Sequence, residues 1–526
     1  MSYIKQIRII GFKKFEDTTI KFNENLNIIV GENEAGKSTI IEAINIVLNQ
    51  LYKNADKSII KEMININNYN EFKQNPTIEK LPKICIEIEL ELDKNIKNLK
   101  FSGLEYDFED DSGENAKNGI VFKCELNEEL IDIAQKIVEK GNIPYECYSF
   151  KWYTFSGSVY NSMMKTVKYL NINTSNVETN NTYNYYNKSL FNNKITDVDK
   201  ITAKENYNQG IENLLNDEIF KIDDKRRFGI NSKKVILENI INILEDEISI
   251  ENKGSGMENF IKTEMALEKN SNNNVITIEE PENHLSYSNL RKMVNEIENK
   301  EEFSQIIITT HSSRIVSNLN LKNVILINNA LPINFTNIDD KVAKYFEKSD
   351  DNKLLEFILA HKVILVEGNT EYILLPKFYE KVNKENIEKD NITVISASGL
   401  GYKNYIELAK LLHKDMAVIT DNDKNIDKIN EIKDFNKNES NIKIFTDNEI
   451  NRWTIEVCIF YDNQDLLNEI ISVEADAKYY FNGENYGQVL GKMLNNKTET
   501  AMELLDKDIK VPEYIKGALQ WIKELS

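Results

Sequence analysis

Apolar and polar residues alternate in IKQIRIIGF (4–12) and in TTIKF (18–22), the pattern of strands with one buried face. LNIIVG (26–31) is instead a continuous apolar run, as in a strand covered on both faces. Lys37 to Tyr52 then carries apolar residues at helical spacing. Further strands are predicted at ICIEIELEL (84–92), IVFKCEL (120–126) and SFKWYTF (149–155). From 156 to about 235 no period is sustained. NINTSNVETNNTYNYYNKS (171–189) is dense in Asn and Thr and reads as a loop or an insertion. KKVILENIINILEDEISI (233–250) predicts an amphipathic helix suited to an arm or an interface.

NNVITIEEPENH (273–284) is a buried strand ending in acids, and QIIITTHS (305–312) and NVILIN (323–328) predict two more strands. KSDDNK (348–353) reads as a linker. A second strand–helix series follows, with strands in KVILVEG (362–368), ITVISASG (392–399) and MAVITDND (416–423). Strands alternating with helices imply a parallel α/β sheet.

The chain has 526 residues, enough for two to four domains. Hydrophobic content of 41% and aromatic content of 9% fit a globular protein. No apolar run approaches the roughly 18 residues of a membrane helix, and the opening MSYIKQIRIIGF lacks a signal-peptide layout. A cytoplasmic protein without a membrane partner is therefore expected. Cys85, Cys124, Cys147 and Cys458 stand far apart, which excludes a zinc or disulfide framework. With only 4 histidines, any metal ligands should be carboxylates. The net charge of −20 argues against a general DNA coat, but a recessed two-metal site needs acids.

GENEAGKST (31–39) fits G-x-x-x-x-G-K-[ST] between a strand and a helix. Backbone amides and the helix N-terminus would face phosphate. Gly31, Asn33, Gly36, Lys37, Ser38 and Thr39 are the candidate nucleotide contacts, with Lys37 reaching the β/γ-phosphates and Ser38 ligating Mg²⁺. In ITIEEPE (276–282), Glu279 would face the metal and Glu280 would polarise the attacking water.

VILVEGNTE (363–371) ends a strand at Glu367, with Glu371 one helical turn later. AVITDND (417–423) ends another at Asp421 and Asp423, which in extended chain point the same way. Parallel strands end at one carboxyl edge, where ligands bind. Crowded acids repel, and Mg²⁺ or Mn²⁺ relieves the repulsion and suits oxygen ligands.

The first motif set, with the opening I-x-x-I-R-I-x-G-F-K, resembles the ABC ATPase group that includes RecF, SMC heads and the OLD (overcoming lysogenization defect) family. That resemblance implies a γ-phosphate contact at His311. It also implies a signature at GSGM (254–257), where Ser255 and Gly256 meet the ATP of a second protomer. Glu258 stands at the usual Gln position and the leading Leu is missing, so a plain helix cap stays open there. The pattern E-G-x-x-E followed by D-x-D resembles the TOPRIM fold. SASGLGYKN (396–404) resembles its close-turn segment, or is a simple loop. NRWTIEVCI (451–459) and NNKTETAMELL (495–505) resemble further OLD segments, implying Glu456 as another metal carboxylate and Lys497 as a stabiliser of phosphate charge. Thr420 would add a hydroxyl.

The expected architecture is α/β: a RecF-like ATPase head with a helical insertion, followed by a Rossmann-like TOPRIM domain. Expected boundaries are 1–155 and 251–350 for the head, 156–250 for the insertion and its dimerisation surface, and 351–526 for the TOPRIM. The order head then TOPRIM resembles OLD nucleases. It implies metal-dependent DNA cleavage regulated by ATP, antiviral defence, homo-oligomers and, for the Gabija-system class, a UvrD-like helicase partner. Lys225, Arg226, Arg227, Lys233 and Lys234 form a local basic cluster that could meet DNA or only solvent. A nucleotide-sensing scaffold without cleavage is the alternative. A topoisomerase- or primase-like enzyme would need a DNA-gate domain for which no room remains.

Overall fold

The computed structural model describes the chain except residues 1, 94–95, 107–114, 162–163, 165–166, 174–186, 188–190, 192–194, 216–217, 224, 230–236, 238–239, 268–272, 284, 301–303, 349–352, 398–400, 474–478 and 526. It divides into two compact units. The first is Met1–Leu319 with Asn323–Thr336, and the second is Asn320–Lys322 with Asn337–Ser526. No helix among the described residues is long and apolar enough to cross a membrane.

The first unit holds two six-stranded sheets among its described residues. One is antiparallel, ordered Phe15–Lys21, Tyr3–Phe12, Ile84–Glu91 and Lys117–Leu126, with Tyr148–Thr154 pairing on the last. Its alternating inner face joins the helix Lys37–Asn49 in a core that includes Ile7, Ile9, Phe12, Ile44, Ile86 and Phe122. The other sheet is ordered Leu331–Asn334, Val324–Asn328, Leu26–Gly31, Gln305–Thr309, Val275–Glu279 and Tyr169–Asn173. All its neighbours are parallel except the first pair. The three Ile-rich central strands are buried along their whole length, as their continuous apolar runs require.

Two expectations for 156–250 change. Tyr169–Asn173 is not loop: it extends the second sheet by pairing with Val275–Glu279. Tyr169 and Leu170 are buried, and parallel pairing supplies their backbone partners. The predicted helix 233–250 is absent from its described part, where Leu244–Glu245 and Ile248–Ser249 form a tight hairpin. Asp246 and Glu247 carry positive φ, which helical periodicity cannot reveal. The helix Asp197–Leu215, with no buried residue, occupies a segment the pattern left unassigned.

The second unit contains a parallel sheet ordered Ile392–Ser396, Lys362–Val366, Asp415–Ile419, Ile442–Phe445. Its chain order switches direction between Lys362–Val366 and Asp415–Ile419, the place where open α/β sheets form ligand sites. The main stretch of this unit runs from Asn337 to Ser526. The helix Asp340–Lys348 buries Val342, Ala343 and Phe346, and the Phe346 ring meets Tyr405 at 5.0 Å. The linker at 349–352 and the residues 398–400 of the close-turn segment lie outside the described residues.

Candidate functional site

In the first unit the phosphate loop connects Leu26–Gly31 to Lys37–Asn49, so Gly31, Asn33, Gly36, Lys37, Ser38 and Thr39 lie on one turn and the first helical turn. Gly36 has φ 111°, and a Cβ there would meet the Phe15 ring at 2.8 Å, so both conformation and space demand glycine. The Lys37 side chain is buried, and its Nζ donates to the carbonyls of Gly31 at 2.9 Å and Glu32 at 2.8 Å. Burial lowers its pKa, while Glu280 and Glu282 act in the opposite direction.

Glu279 ends its strand fully inside. Burial pushes its carboxyl up to about 7, against hydrogen bonds from Ser38 and Asn171. Sequence reasoning missed Asn171, which arrives on the strand Tyr169–Asn173 and also accepts the Thr277 hydroxyl at 2.8 Å. Glu280 follows in left-handed backbone, φ 46°. Its Oε1 lies 3.5 Å from His311 Nε2, and its Oε2 accepts from Asn283 at 2.7 Å. Ser255 opens the helix Ser255–Leu267 after Gly254, whose φ is 80°. Gly256 and Glu258 share that first turn, and Glu258 is paired with Lys262 along the helix. The basic cluster is only partly described. Arg226–Arg227 form an exposed strand, Arg226 lies 3.3 Å from Asp223, and Lys233 and Lys234 fall outside the described residues.

In the second unit Glu367 and Asp421 leave neighbouring strands at the same edge. Glu367 Oε2 accepts from the Thr420 hydroxyl at 2.6 Å and from the Asp421 amide at 3.3 Å. Glu371 is buried in the first turn of Asn369–Asn383. Burial, then Asp421 and Glu456, raise its pKa to about 8. Burial and Glu456 raise Asp421 to about 7, against a hydrogen bond from Thr454. Glu456 stands in the first turn of the helix Ile455–Asp462 rather than in a strand. Its Oε1 accepts from Thr370 at 2.8 Å and its Oε2 from Thr454 at 2.6 Å, with Lys497 Nζ 3.1 Å away. Burial depresses Lys497, but Glu456, Asp421 and Glu371 outweigh it and leave its pKa raised.

The structure thus gathers Glu367, Glu371, Asp421, Glu456 and Lys497. It does not bring Asp423 into the buried group. The chain turns at Asn422, Asp423 takes φ 54°, and its exposed carboxylate accepts from Lys428 at 2.7 Å. The two-residue alternation of an extended strand therefore does not extend to this pair. Asn422 itself is buried, and its amide donates to the carbonyls of Asp447, Glu449 and Arg452. Gly401 is needed for space, since a Cβ there would meet the Tyr345 hydroxyl at 1.9 Å. Among the described residues, no three His, Cys, Asp or Glu side chains are already clustered as a metal centre. The acids are engaged by threonine hydroxyls, an amide and Lys497.

The AAA ATPase domain family matches residues 2–316. The TOPRIM domain of overcoming lysogenization defect protein-like chains matches 358–423. The chain is 24% identical to the endonuclease GajA of Bacillus cereus (strain HuB5-5) across 99% of each protein. It is 28% identical to the Old nuclease of Escherichia phage P2 over 27% of this chain and 26% of that one. Among solved structures, the C-terminal region of the Burkholderia pseudomallei OLD protein aligns at 20% identity, covering 31% of this chain and 97% of that one with a TM-score of 0.23. The recombination mediator RecF with ATP aligns at 14% identity, covering 64% and 99% with a TM-score of 0.32. The chain belongs to the AAA ATPase domain family and carries, C-terminal to that ATPase, a TOPRIM domain of the overcoming-lysogenization-defect type.

Proposed function

We propose that this protein is an ATP-binding, divalent-metal-dependent DNA endonuclease or nickase that acts in antiviral defence, with nucleotide at the head regulating DNA access or cleavage. One observation carries the reading. Acids delivered by separate elements are buried together: beyond burial itself, Asp421 and Glu456 hinder the ionisation of Glu371, and Glu456 hinders that of Asp421. Such a group is costly unless it serves positive charge. The donors are all oxygen, which fits Mg²⁺ or Mn²⁺. Glu367, Glu371, Asp421 and Glu456 would hold the cations. Bound metal supplies an activated water and stabilises the leaving oxygen at a phosphodiester. Thr370 and Thr454 fix the Glu456 carboxylate, and Lys497 places a fixed positive charge beside it.

In the head, Lys37 and the loop amides would bind phosphate. Ser38 and Glu279 would hold Mg²⁺, Glu280 would orient water, and His311 would sense the γ-phosphate. Ser255 and Gly256 would complete the ATP site of a second copy, which makes a homodimer or larger homo-oligomer the working form. The relatives named endonuclease and nuclease support this reading.

The test is incubation of the full chain with supercoiled and linear DNA, with Mg²⁺ or Mn²⁺, with and without ATP. Nicked or linear product should form only with metal. Cleavage that persists undiminished in Glu371→Gln would refute the site, and binding of ATP by Lys37→Ala at wild-type strength would refute the head assignment.

A further inference from the structure

A third acid lies just beyond the Glu279–Glu280 pair. Glu282 Oε1 accepts from the Thr310 hydroxyl at 2.8 Å and from the His311 backbone amide at 2.6 Å. Its Oε2 is buried without a hydrogen-bond partner among the described residues. The strands Val275–Glu279 and Gln305–Thr309 are parallel neighbours, and their regular pairing ends at Glu279 and Thr309. Past that point two turns must stay in register without a ladder. Three links hold them: the Glu280 amide to the Thr309 carbonyl at 2.8 Å, the Glu280 carboxylate beside His311 Nε2, and the Glu282 carboxylate on Thr310 and His311.

The backbone explains why a brace is needed. A non-glycine residue at φ 46° is strained and persists only where its surroundings over-determine it. Glu280 is that residue. The Asn283 amide donates to the Glu280 carbonyl at 3.0 Å, so the turn from 280 to 283 is closed on itself. Glu282 is carried by this turn and reaches across to the next one. Its charge, with that of Glu280, acts on Lys37 of the phosphate loop.

We propose that Glu282 is a positioning residue of the nucleotide site, holding the Thr310–His311 turn so that His311 stays on Glu280. The inference rests on the nucleotide reading of the head. Glu282 needs only to accept two hydrogen bonds. A neutral amide oxygen can do the same, whereas a methyl group cannot.

The experiment uses the full chain with [¹³Cε1]-histidine. With 4 histidines, His311 is assigned by loss of its signal in His311→Gln. Three readouts are compared in wild type, Glu282→Ala, Glu282→Gln and Thr310→Val: ATPγS affinity by calorimetry, the His311 shift on adding Mg·ATPγS, and kcat against KM for ATP. Glu282→Ala should bind ATPγS within about threefold of wild type. It should lose the His311 response and lower kcat roughly tenfold or more, the scale of a misplaced group near the reacting centre. Glu282→Gln should restore both, and Thr310→Val should fall between. A wild-type His311 response in Glu282→Ala overturns the proposal. So does a Glu282→Gln variant as impaired as the alanine, and that variant remains informative if the alanine fails to fold. The nucleotide reading fails separately, if the wild type does not bind ATPγS or Lys37→Ala binds it unchanged.

Discussion

Thr420, just past the strand Asp415–Ile419, donates its hydroxyl at 2.6 Å to Glu367, just past the neighbouring strand Lys362–Val366. Thr420 is 1% exposed and Glu367 half-buried, and the contact fixes one carboxylate oxygen at the direction-switch of the sheet. Thr420→Val keeps the shape and removes the donor. A typical intramolecular hydrogen bond contributes about 0.5–1.5 kcal/mol net, and water can reach the half-buried Glu367. Urea denaturation should report a loss on that scale. DNA cleavage should drop while ATP binding is unchanged, and equal stability and cleavage in the variant would show that the hydroxyl is idle.

Asn422 should prove more sensitive than either neighbouring aspartate to a conservative change in charge. Its amide nitrogen donates to three carbonyls at 3.0, 3.0 and 3.2 Å, and its Oδ1 accepts from the Lys424 amide at 3.0 Å. Asn422→Asp sets an anionic oxygen against those carbonyls. A stability loss of at least about 2 kcal/mol is expected, with faster hydrogen exchange over 447–453. Wild-type exchange in that loop would refute the assignment of Asn422 as its anchor.

Asn171 donates to Glu279 and comes from a strand outside the recognised ATPase motifs. Asn171→Ala should leave Lys37 and the phosphate loop intact, so ATPγS should still bind. With Glu279 facing the metal as proposed, its Mg²⁺ dependence should move to higher concentration, by roughly tenfold for a lost partner of a ligand carboxylate. Titrating Mg²⁺ at fixed ATPγS tests this, and an unshifted curve would remove Asn171 from the site.

Lys414 gives a pH dependence at the end of the strand Asp415–Ile419 opposite Thr420 and Asp421. It is 9% exposed, donates to the carbonyls of Ile358 and Ala360, and burial lowers its pKa from 10.5 to about 8. Below pH 8 both folded and unfolded states carry the proton. Between about 8 and 10.5 the folded state loses it first, so the unfolded state binds more protons and stability rises with pH. The gain is up to about 3 kcal/mol. Denaturation of wild type minus Lys414→Met, from pH 7 to 10.5, should show that rise. A flat difference would place the Lys414 pKa near its usual value.

The sequence by itself determined the parts whose chemistry is local. A strand, a glycine-rich turn and a helix in direct succession place Gly36, Lys37 and Ser38 without help from distant residues. The Ile-rich runs around Glu279 and Glu367 likewise reveal buried parallel strands, because covering both faces leaves no polar alternation to disguise them. Tertiary structure decided what depends on pairing and on turns. Tyr169–Asn173 is a strand because Val275–Glu279 offers it backbone partners, and no period within its own Asn-rich surroundings records that. Asp423 turns away from Asp421 because Asn422 anchors the chain to carbonyls 25–30 residues further on. Glu282 and Thr370 acquire roles only through residues they meet across 28 and 86 positions. Hydrogen bonds over such separations leave no mark in local hydrophobic pattern, so folding alone gathers them.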